Sequence, residues 1–296
     1  MFDPRTFLPD SIMARLTAMR VAHPEAALRA AELRDRRDRL APSGKLNIIA
    51  ADHPARGVLK AGGDPLAMAS RRDYLARIIR VLMADSVDGV MATMDVIEDL
   101  LILEGMLQEA KGPSLLNGKL LIGSLNRGGL AGSCWELDDP ITGLTPAACN
   151  DWRLDGAKFL LRIDDSDPAS LKTMLAAAQA VSECNGFRLP MFLEPLPVER
   201  RDGVLRVCKE AGALARIVGV ASALGDSSSR MWLKLPYCER FDLVARATSL
   251  PILLLGGESA GDPAFFLAEL HAALKAGPNV RGALVGRNVL YPGGED

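Results

Sequence analysis

Four charged side chains sit where the surrounding sequence is apolar. Asp52 closes "KLNIIAAD" (45–52), Lys158 interrupts "DGAKFLLRI" (155–163), Glu194 interrupts "RLPMFLEPL" (188–196) and Lys234 interrupts "RMWLKLP" (230–236). A charge held away from water is expensive unless it is paired. An ammonium in such a place gives up its proton more readily, and a second ammonium nearby lowers its pKa further. The neutral amine that results is a nucleophile towards a carbonyl carbon. Carboxylates placed beside it can move protons. Two lysines and two carboxylates converging on one cavity would therefore support imine chemistry with acid–base assistance. The simpler reading is a set of structural ion pairs, which perturb pKa values in the same way.

Those four residues need a scaffold that gathers distant segments. Eight short apolar runs recur between helical stretches: the four above, together with "VDGVMATM" (87–94), "KLLIGSLN" (119–126), "PILLLGG" (251–257) and "VRGALVGRN" (280–288). Runs that are apolar on both faces suit parallel strands covered by helices, and eight β/α repeats predict a TIM (β/α)8 barrel. Such a barrel occupies roughly 250 residues, so the 296-residue chain divides into an N-terminal helical extension (1–44) and a catalytic barrel (45–296). The charged stretch "PEAALRAAELRDRRDRLAPSG" (24–44) reads as an appended helix stopped by Pro42 and Gly44. Period-two alternation places Trp232, Lys234 and Pro236 on one face and Met231, Leu233 and Leu235 on the other. Lys234 then points into the barrel while the leucines meet the helices. No G-x-G-x-x-G follows the first strand, which argues against dinucleotide binding.

In this architecture, chemistry gathers where strands run into their following loops. The polar residues at those positions include Asp52-His53, Asp95, Asn126-Arg127, Gly256-Gly257-Glu258-Ser259 and Arg287-Asn288. Phosphate commonly binds at the loops after strands 7 and 8. Gly256, Gly257 and Gly286 would let backbone N–H groups approach an anion, with Ser259 and Arg287 adding hydroxyl and bidentate contacts. The plainer alternative is that the glycines only make tight turns. His53 could point away from the barrel, and Tyr237 could donate a phenolic proton or merely pack in its loop.

Composition narrows the function classes. The chain is 49% hydrophobic and 24% charged with a net charge of −2, so a large core can form and no polyanion-binding surface is advertised. Nucleic acid is not an expected partner. No apolar run approaches the roughly 20 residues of a membrane span, and the mixed charges of "MFDPRTFLPDSIMARL" do not resemble a signal peptide. A cytoplasmic protein is expected. Five scattered cysteines suit reduced thiols. His23, His53 and His271 fall on unrelated segments, so neither a metal site nor a cofactor is expected. A homo-oligomer is expected on general grounds.

The segments "AADHPARG", "GAKFLLRI", "WLKLPY", "LLLGGES" and "GALVGRNVLYP" together resemble class I aldolases of the DeoC/LacD and archaeal-type fructose-bisphosphate aldolase group. The resemblance spans residues 45 to 292. It implies that Lys234 forms the Schiff base, that Asp52 acts near the reacting carbons and that Lys158 lines the site. It also implies that the Gly256-Gly257 and Gly286-Arg287 segments hold phosphate. Relatives often carry glycine directly after the Asp-His pair, whereas here Pro54, Ala55 and Arg56 intervene before Gly57. That departure bears on the substrate more than on the reaction type. With "MFLEPLP" and the long extension, it points to a distinct branch resembling aldolases encoded with inositol-catabolism enzymes. The expected activity is C–C cleavage or formation in a phosphorylated sugar or keto-sugar acid, releasing dihydroxyacetone phosphate, with Glu194 taking the hydroxyl proton and Asp52 orienting the substrate. Fructose 1,6-bisphosphate, a deoxyribose phosphate and a deoxy-keto-gluconate phosphate all fit. The alternatives are a Schiff-base thiolase-like acyl transferase acting on a phosphorylated diketone, and a non-catalytic barrel that binds sugar phosphate.

Overall fold

A computed structural model describes residues 2–257 and 263–293. Three helices come first: α1 (Pro4–Phe7), α2 (Asp10–Ala22) and α3 (Ala26–Leu33). The strand–helix rhythm then begins with β1 (Leu46–Ala51), a 3-10 turn at Pro54–Arg56, α4 (Arg71–Leu82), β2 (Gly89–Ala92), α5 (Met94–Glu109) and β3 (Leu120–Ser124). It continues through α6 (Pro146–Asp151), β4 (Gly156–Ile163), α7 (Ala169–Gly186), β5 (Met191–Arg201), β6 (Val204–Val207) and α8 (Ala211–Ser222). The last elements are β7 (Met231–Pro236), α9 (Phe241–Arg246), β8 (Ile252–Leu255), α10 (Pro263–Ala276), β9 (Val280–Val285) and α11 (Arg287–Leu290).

Eight strands pair in parallel in the order β1-β2-β3-β4-β5-β7-β8-β9, and β9 pairs back onto β1, closing the predicted TIM (β/α)8 barrel. Strand β6 lies outside the ring. It runs antiparallel to the overlong β5, pairing Val198 with Val207, and forms a hairpin at the barrel mouth. Local signals match the elements: the Ser70 hydroxyl accepts from Asp73 N at the start of α4, and the Thr145 hydroxyl accepts from Ala148 N at the start of α6. None of the described helices is long and apolar enough to cross a membrane.

Alternation along the strands separates two cores. Leu46, Ile48, Met91, Ile122, Phe192 and Leu253 fill the barrel interior, while Leu75, Leu100, Phe159, Leu233 and Leu235 pack between strands and helices. Trp232 stacks on Phe192 inside the ring, as the period-two reading of β7 requires.

The extension departs from expectation in one respect. The helix predicted over 24–44 ends at Leu33, and the following residues form a strap beneath the strand N-termini. Buried Arg34 donates to Lys119 O at 2.8 Å and to Asp155 Oδ2 at 3.0 Å; Arg36 also reaches Asp155, and Arg37 reaches Asp88 at 2.7 Å. Guanidinium bonds to carbonyls and carboxylates at the starts of β2, β3 and β4 replace the helical ladder there. Leu40 and Ala41 then seal the interior core from below.

Candidate active site

The inward faces of β4, β5 and β7 bring three of the four singled-out residues together, and β1 supplies the fourth. On β4, Lys158, Leu160 and Arg162 share a face, as do Phe192, Glu194, Leu196 and Val198 on β5. Glu194 lies between the lysines: its Oε1 is 3.0 Å from Lys234 Nζ and its Oε2 is 2.7 Å from Lys158 Nζ. Lys158 Nζ is also 3.4 Å from Asp52 Oδ2, which accepts from Ser124 Oγ at 3.0 Å and pairs with Arg127. The result is a buried chain of alternating charge, Lys234–Glu194–Lys158–Asp52–Arg127. Asp52 Oδ1 is buried without a hydrogen-bond partner among the described residues.

The electrostatics follow from this alternation. Burial and the Arg127 guanidinium push the Lys158 ammonium down, the two carboxylates oppose them, and the balance lies at about 8. Burial alone would raise Glu194, but Lys158 and Lys234 outweigh it and bring the carboxyl down to about 2. Asp52 behaves alike: burial opposes ionisation, and Arg127 with Lys158 still holds the carboxyl well below the usual carboxylate range.

Above the chain opens a cavity of about 500 Å³ at the C-terminal mouth of the barrel, with Glu194 and Lys234 in its floor. One side carries Gly256, Gly257, Gly286 and Arg287, the predicted phosphate segments. Gly257 has φ +64°, and a Cβ on Gly286 would lie 2.5 Å from Ala50 O and clash with the His53 ring. At these two positions glycine is therefore demanded by backbone conformation and close approach, respectively. Arg287 donates to Gly257 O at 3.1 Å and Asn288 to Gly256 O at 2.5 Å, tying the two segments together. Ser259 lies outside the described residues.

The opposite side is not evident in the sequence. Arg162 at the end of β4 donates to Glu136 Oε1 at 2.6 Å and to Asp139 Oδ2 at 3.2 Å. Arg56 reaches the same Glu136 Oε1 at 2.6 Å and Gly129 O at 3.2 Å. Burial first, then Arg162 and Arg127, bring Arg56 down to about 10. An apolar band of Leu137, Leu160, Leu196 and Val198, with Leu205 and Leu255 packed on it, borders the cavity beneath the hairpin.

Of two further strand-end residues, one is placed outside expectation and the other, left open by the sequence, is settled. Asp95 opens α5, where Thr93 and Arg71 bind its carboxylate, and it does not line the cavity. The β2 strand stops at Ala92, so the following residues have already turned into the helix. His53, by contrast, does line the cavity; its Nδ1 is buried without a partner among the described residues, and burial together with Arg127 and Arg287 pushes the ring down to about 3. The imidazole is thus neutral at physiological pH. Tyr237 stacks on Phe241 with centroids 5.9 Å apart. Among the described residues, no group of three or more His, Cys, Asp or Glu side chains is arranged to hold a metal ion.

The sequence profile of the Cgl0159-like family matches residues 44–296, which includes every strand of the barrel. The chain belongs to the Cgl0159-like family. Cgl0159 from Corynebacterium glutamicum (Brevibacterium flavum), a solved structure, is 40% identical and superposes with a TM-score of 0.88 over 96% of this chain and 92% of that one. More distant likenesses include aldolases. A Schiff-base-forming fructose-1,6-bisphosphate aldolase superposes with a TM-score of 0.58 at 19% identity, covering 89% of this chain and 93% of its own. The fructose-bisphosphate aldolase of Slackia heliotrinireducens gives 0.59 at 15% identity, covering 95% and 82% respectively. At such identities the likeness establishes the TIM barrel of the Cgl0159-like chain and leaves the reaction to be argued from the site. No curated protein matches the chain by sequence.

Proposed function

We propose that the protein is a class I aldolase, a lyase that makes or breaks a C–C bond in a phosphorylated ketose or keto-sugar acid through an imine on Lys234. The observation that carries this reading is the placement of Lys234 in the cavity floor, 3.0 Å from Glu194, with Lys158 on the far oxygen of the same carboxylate at 2.7 Å. The fully buried Lys158 ammonium, held at about 8 between two carboxylates, is poised to exchange protons near neutral pH.

In the cleavage direction, the neutral Lys234 amine adds to the ketone carbon, giving a carbinolamine. Lys158 donates the proton with which the hydroxyl leaves as water, and the iminium forms. Removal of the proton from the hydroxyl on the far carbon of the scissile bond turns that carbon into the released aldehyde, and the bonding pair moves into the iminium to give an enamine. Protonation of that carbon and addition of water then return Lys234 and the ketone fragment, dihydroxyacetone phosphate. Glu194 is the base that the sequence favours. Its carboxylate, brought down against burial to about 2 by Lys158 and Lys234, is ionised and so able to accept the hydroxyl proton, with the Lys158 ammonium on its far oxygen to pass a proton on. Glu194 is thus the relay between the two amines, and Asp52, buried beneath the cavity, orients the Lys158 ammonium from its other side. The glycine segments and Arg287 hold the phosphate.

The test is solvent exchange. Incubated with dihydroxyacetone phosphate in D2O without an aldehyde, the enzyme should replace one carbon-bound hydrogen with deuterium, read by NMR, and Lys234→Met should abolish the exchange. Exchange that survives Lys234→Met would refute the assignment. Turnover of a phosphorylated diketone that requires coenzyme A would establish acyl transfer instead, and binding without exchange would leave a sugar-phosphate receptor.

A further inference from the structure

The loop after β1 is lengthened by Pro54, Ala55 and Arg56, which form the 3-10 turn closed by Gly57 at φ +75°. That turn sends the Arg56 side chain across the mouth to Gly129 and Glu136, beside Arg162. In a ring of eight strands, β4 lies four places from β9, so Arg162 faces the Gly286-Arg287 segment from the opposite wall. Both arginines line the cavity. Arg56 commits Nε to Gly129 O and Nη2 to Glu136, which leaves Nη1 with no partner among the described residues. The Nε atoms of Arg127 and Arg162 are likewise buried without partners.

The balance of charge points the same way. With the phosphate side and its Arg287 set aside, and the exposed Lys209 left out, Arg56, Arg127 and Arg162 with Lys158 and Lys234 supply five positive charges. Against them stand Asp52, Glu136, Asp139 and Glu194, so one positive charge remains among the described residues. A purely structural network would be neutral, because a surplus of buried charge has no compensating term.

We propose that the wall formed by Arg56, Arg162 and Glu136 is a second anion subsite, so that the substrate carries an oxyanion at the end remote from its phosphate. Arg56 makes the contact through Nη1; Glu136 and Arg162 are positioning residues that fix its guanidinium. The placement of the phosphate opposite rests on the aldolase reading, but the subsite does not depend on imine formation. A carboxylate and a second phosphate share this chemistry. The small charge surplus favours the carboxylate, which makes the substrate a phosphorylated keto-sugar acid and the released aldehyde an acidic one.

Isothermal titration separates the possibilities with three ligands that contain no ketone and cannot form an imine: 6-phosphogluconate, glucitol 6-phosphate and glucitol 1,6-bisphosphate. The wild type should bind 6-phosphogluconate at least tenfold more tightly than glucitol 6-phosphate, the loss expected for one charge-assisted hydrogen bond. Arg56→Gln should bring the two within about twofold while leaving glucitol 6-phosphate nearly unchanged. Arg56→Lys, which keeps the charge but not the fork, should retain a reduced preference, and it decides the matter if Arg56→Gln fails to fold. Tighter binding of the bisphosphate than of the sugar acid would assign the subsite to phosphate. Equal binding of all three ligands by the wild type, no binding by any of them, or a preference undiminished in the folded variants, would overturn the proposal. Because deuterium exchange at Lys234 is measured separately, failure of the subsite and failure of the aldolase reading are distinguishable.

Discussion

Glu194→Gln removes one charge, and almost no volume, from between two ammonium groups. In the wild type the carboxyl is moved from its ordinary 4.5 to about 2. A tenfold change in proton affinity is worth about 1.4 kcal/mol, so the ionised carboxylate contributes about 3 kcal/mol to folding at neutral pH. The sign is that of a depressed acid: the contribution is complete above the unfolded value and is lost as pH falls from about 4.5 towards 2. At pH 7 the variant should therefore be less stable by about 3 kcal/mol, which for a chain of this size lowers Tm by about 6 °C. Above pH 8 the Lys158 ammonium deprotonates in the wild type and half of what Glu194 stabilises disappears. The difference in Tm should then shrink to about 3 °C at pH 9.5. Differential scanning calorimetry of both proteins at pH 7 and pH 9.5 measures it. A difference below 1 °C at pH 7, or one that does not change between the two pH values, would refute the charge chain as the origin of the depressed carboxyl.

Three further outcomes follow from the same geometry. Lys158→Met should slow imine formation by roughly 10²-fold or more and remove the pH dependence centred near 8, measured by single-turnover trapping across pH 6–9.5. Gly286→Ala forces a methyl group against Ala50 O and the His53 ring. It should weaken binding of inorganic phosphate at least tenfold and destabilise by about 1–3 kcal/mol, read by titration calorimetry and urea unfolding. Arg34→Ala leaves the carbonyls of Lys119 and Arg153 unpaired, while Arg36 still holds Asp155. A loss of about 2–4 kcal/mol is expected in urea unfolding, with no change in deuterium exchange at 25 °C.

The barrel is legible in the sequence because its signals are local and repeated. Each inner strand is a short apolar run, and the period of two along β7 alone assigns Trp232 and Lys234 to the interior. The central residues are legible for a related reason: a lysine or glutamate inside such a run has nowhere to point but the cavity. Arg127 and His53 are visible as strand-end residues, but nothing in one dimension says that Arg127 turns inward onto Asp52. Arg56, Glu136 and Arg162 escape because their partnership is made by loops that cross the mouth, joining residues 80 and 26 positions apart. Arg162 lies two residues beyond Leu160 on the same face as Lys158, and that spacing is the signal from which it could have been found. The strap at 34–41 reads as helix because its charges favour helix locally, whereas the bonds of Arg34 and Arg37 are made to distant strand starts.

Borohydride trapping asks directly whether Lys234 forms the imine. Protein incubated with dihydroxyacetone phosphate and sodium borohydride, digested and analysed by mass spectrometry, should carry the reduced adduct on the peptide containing Lys234. No adduct should appear on the peptide containing Lys158. An adduct on Lys158 would reverse the roles of the two amines, and folded protein that yields no adduct at all would contradict Schiff-base chemistry at this site.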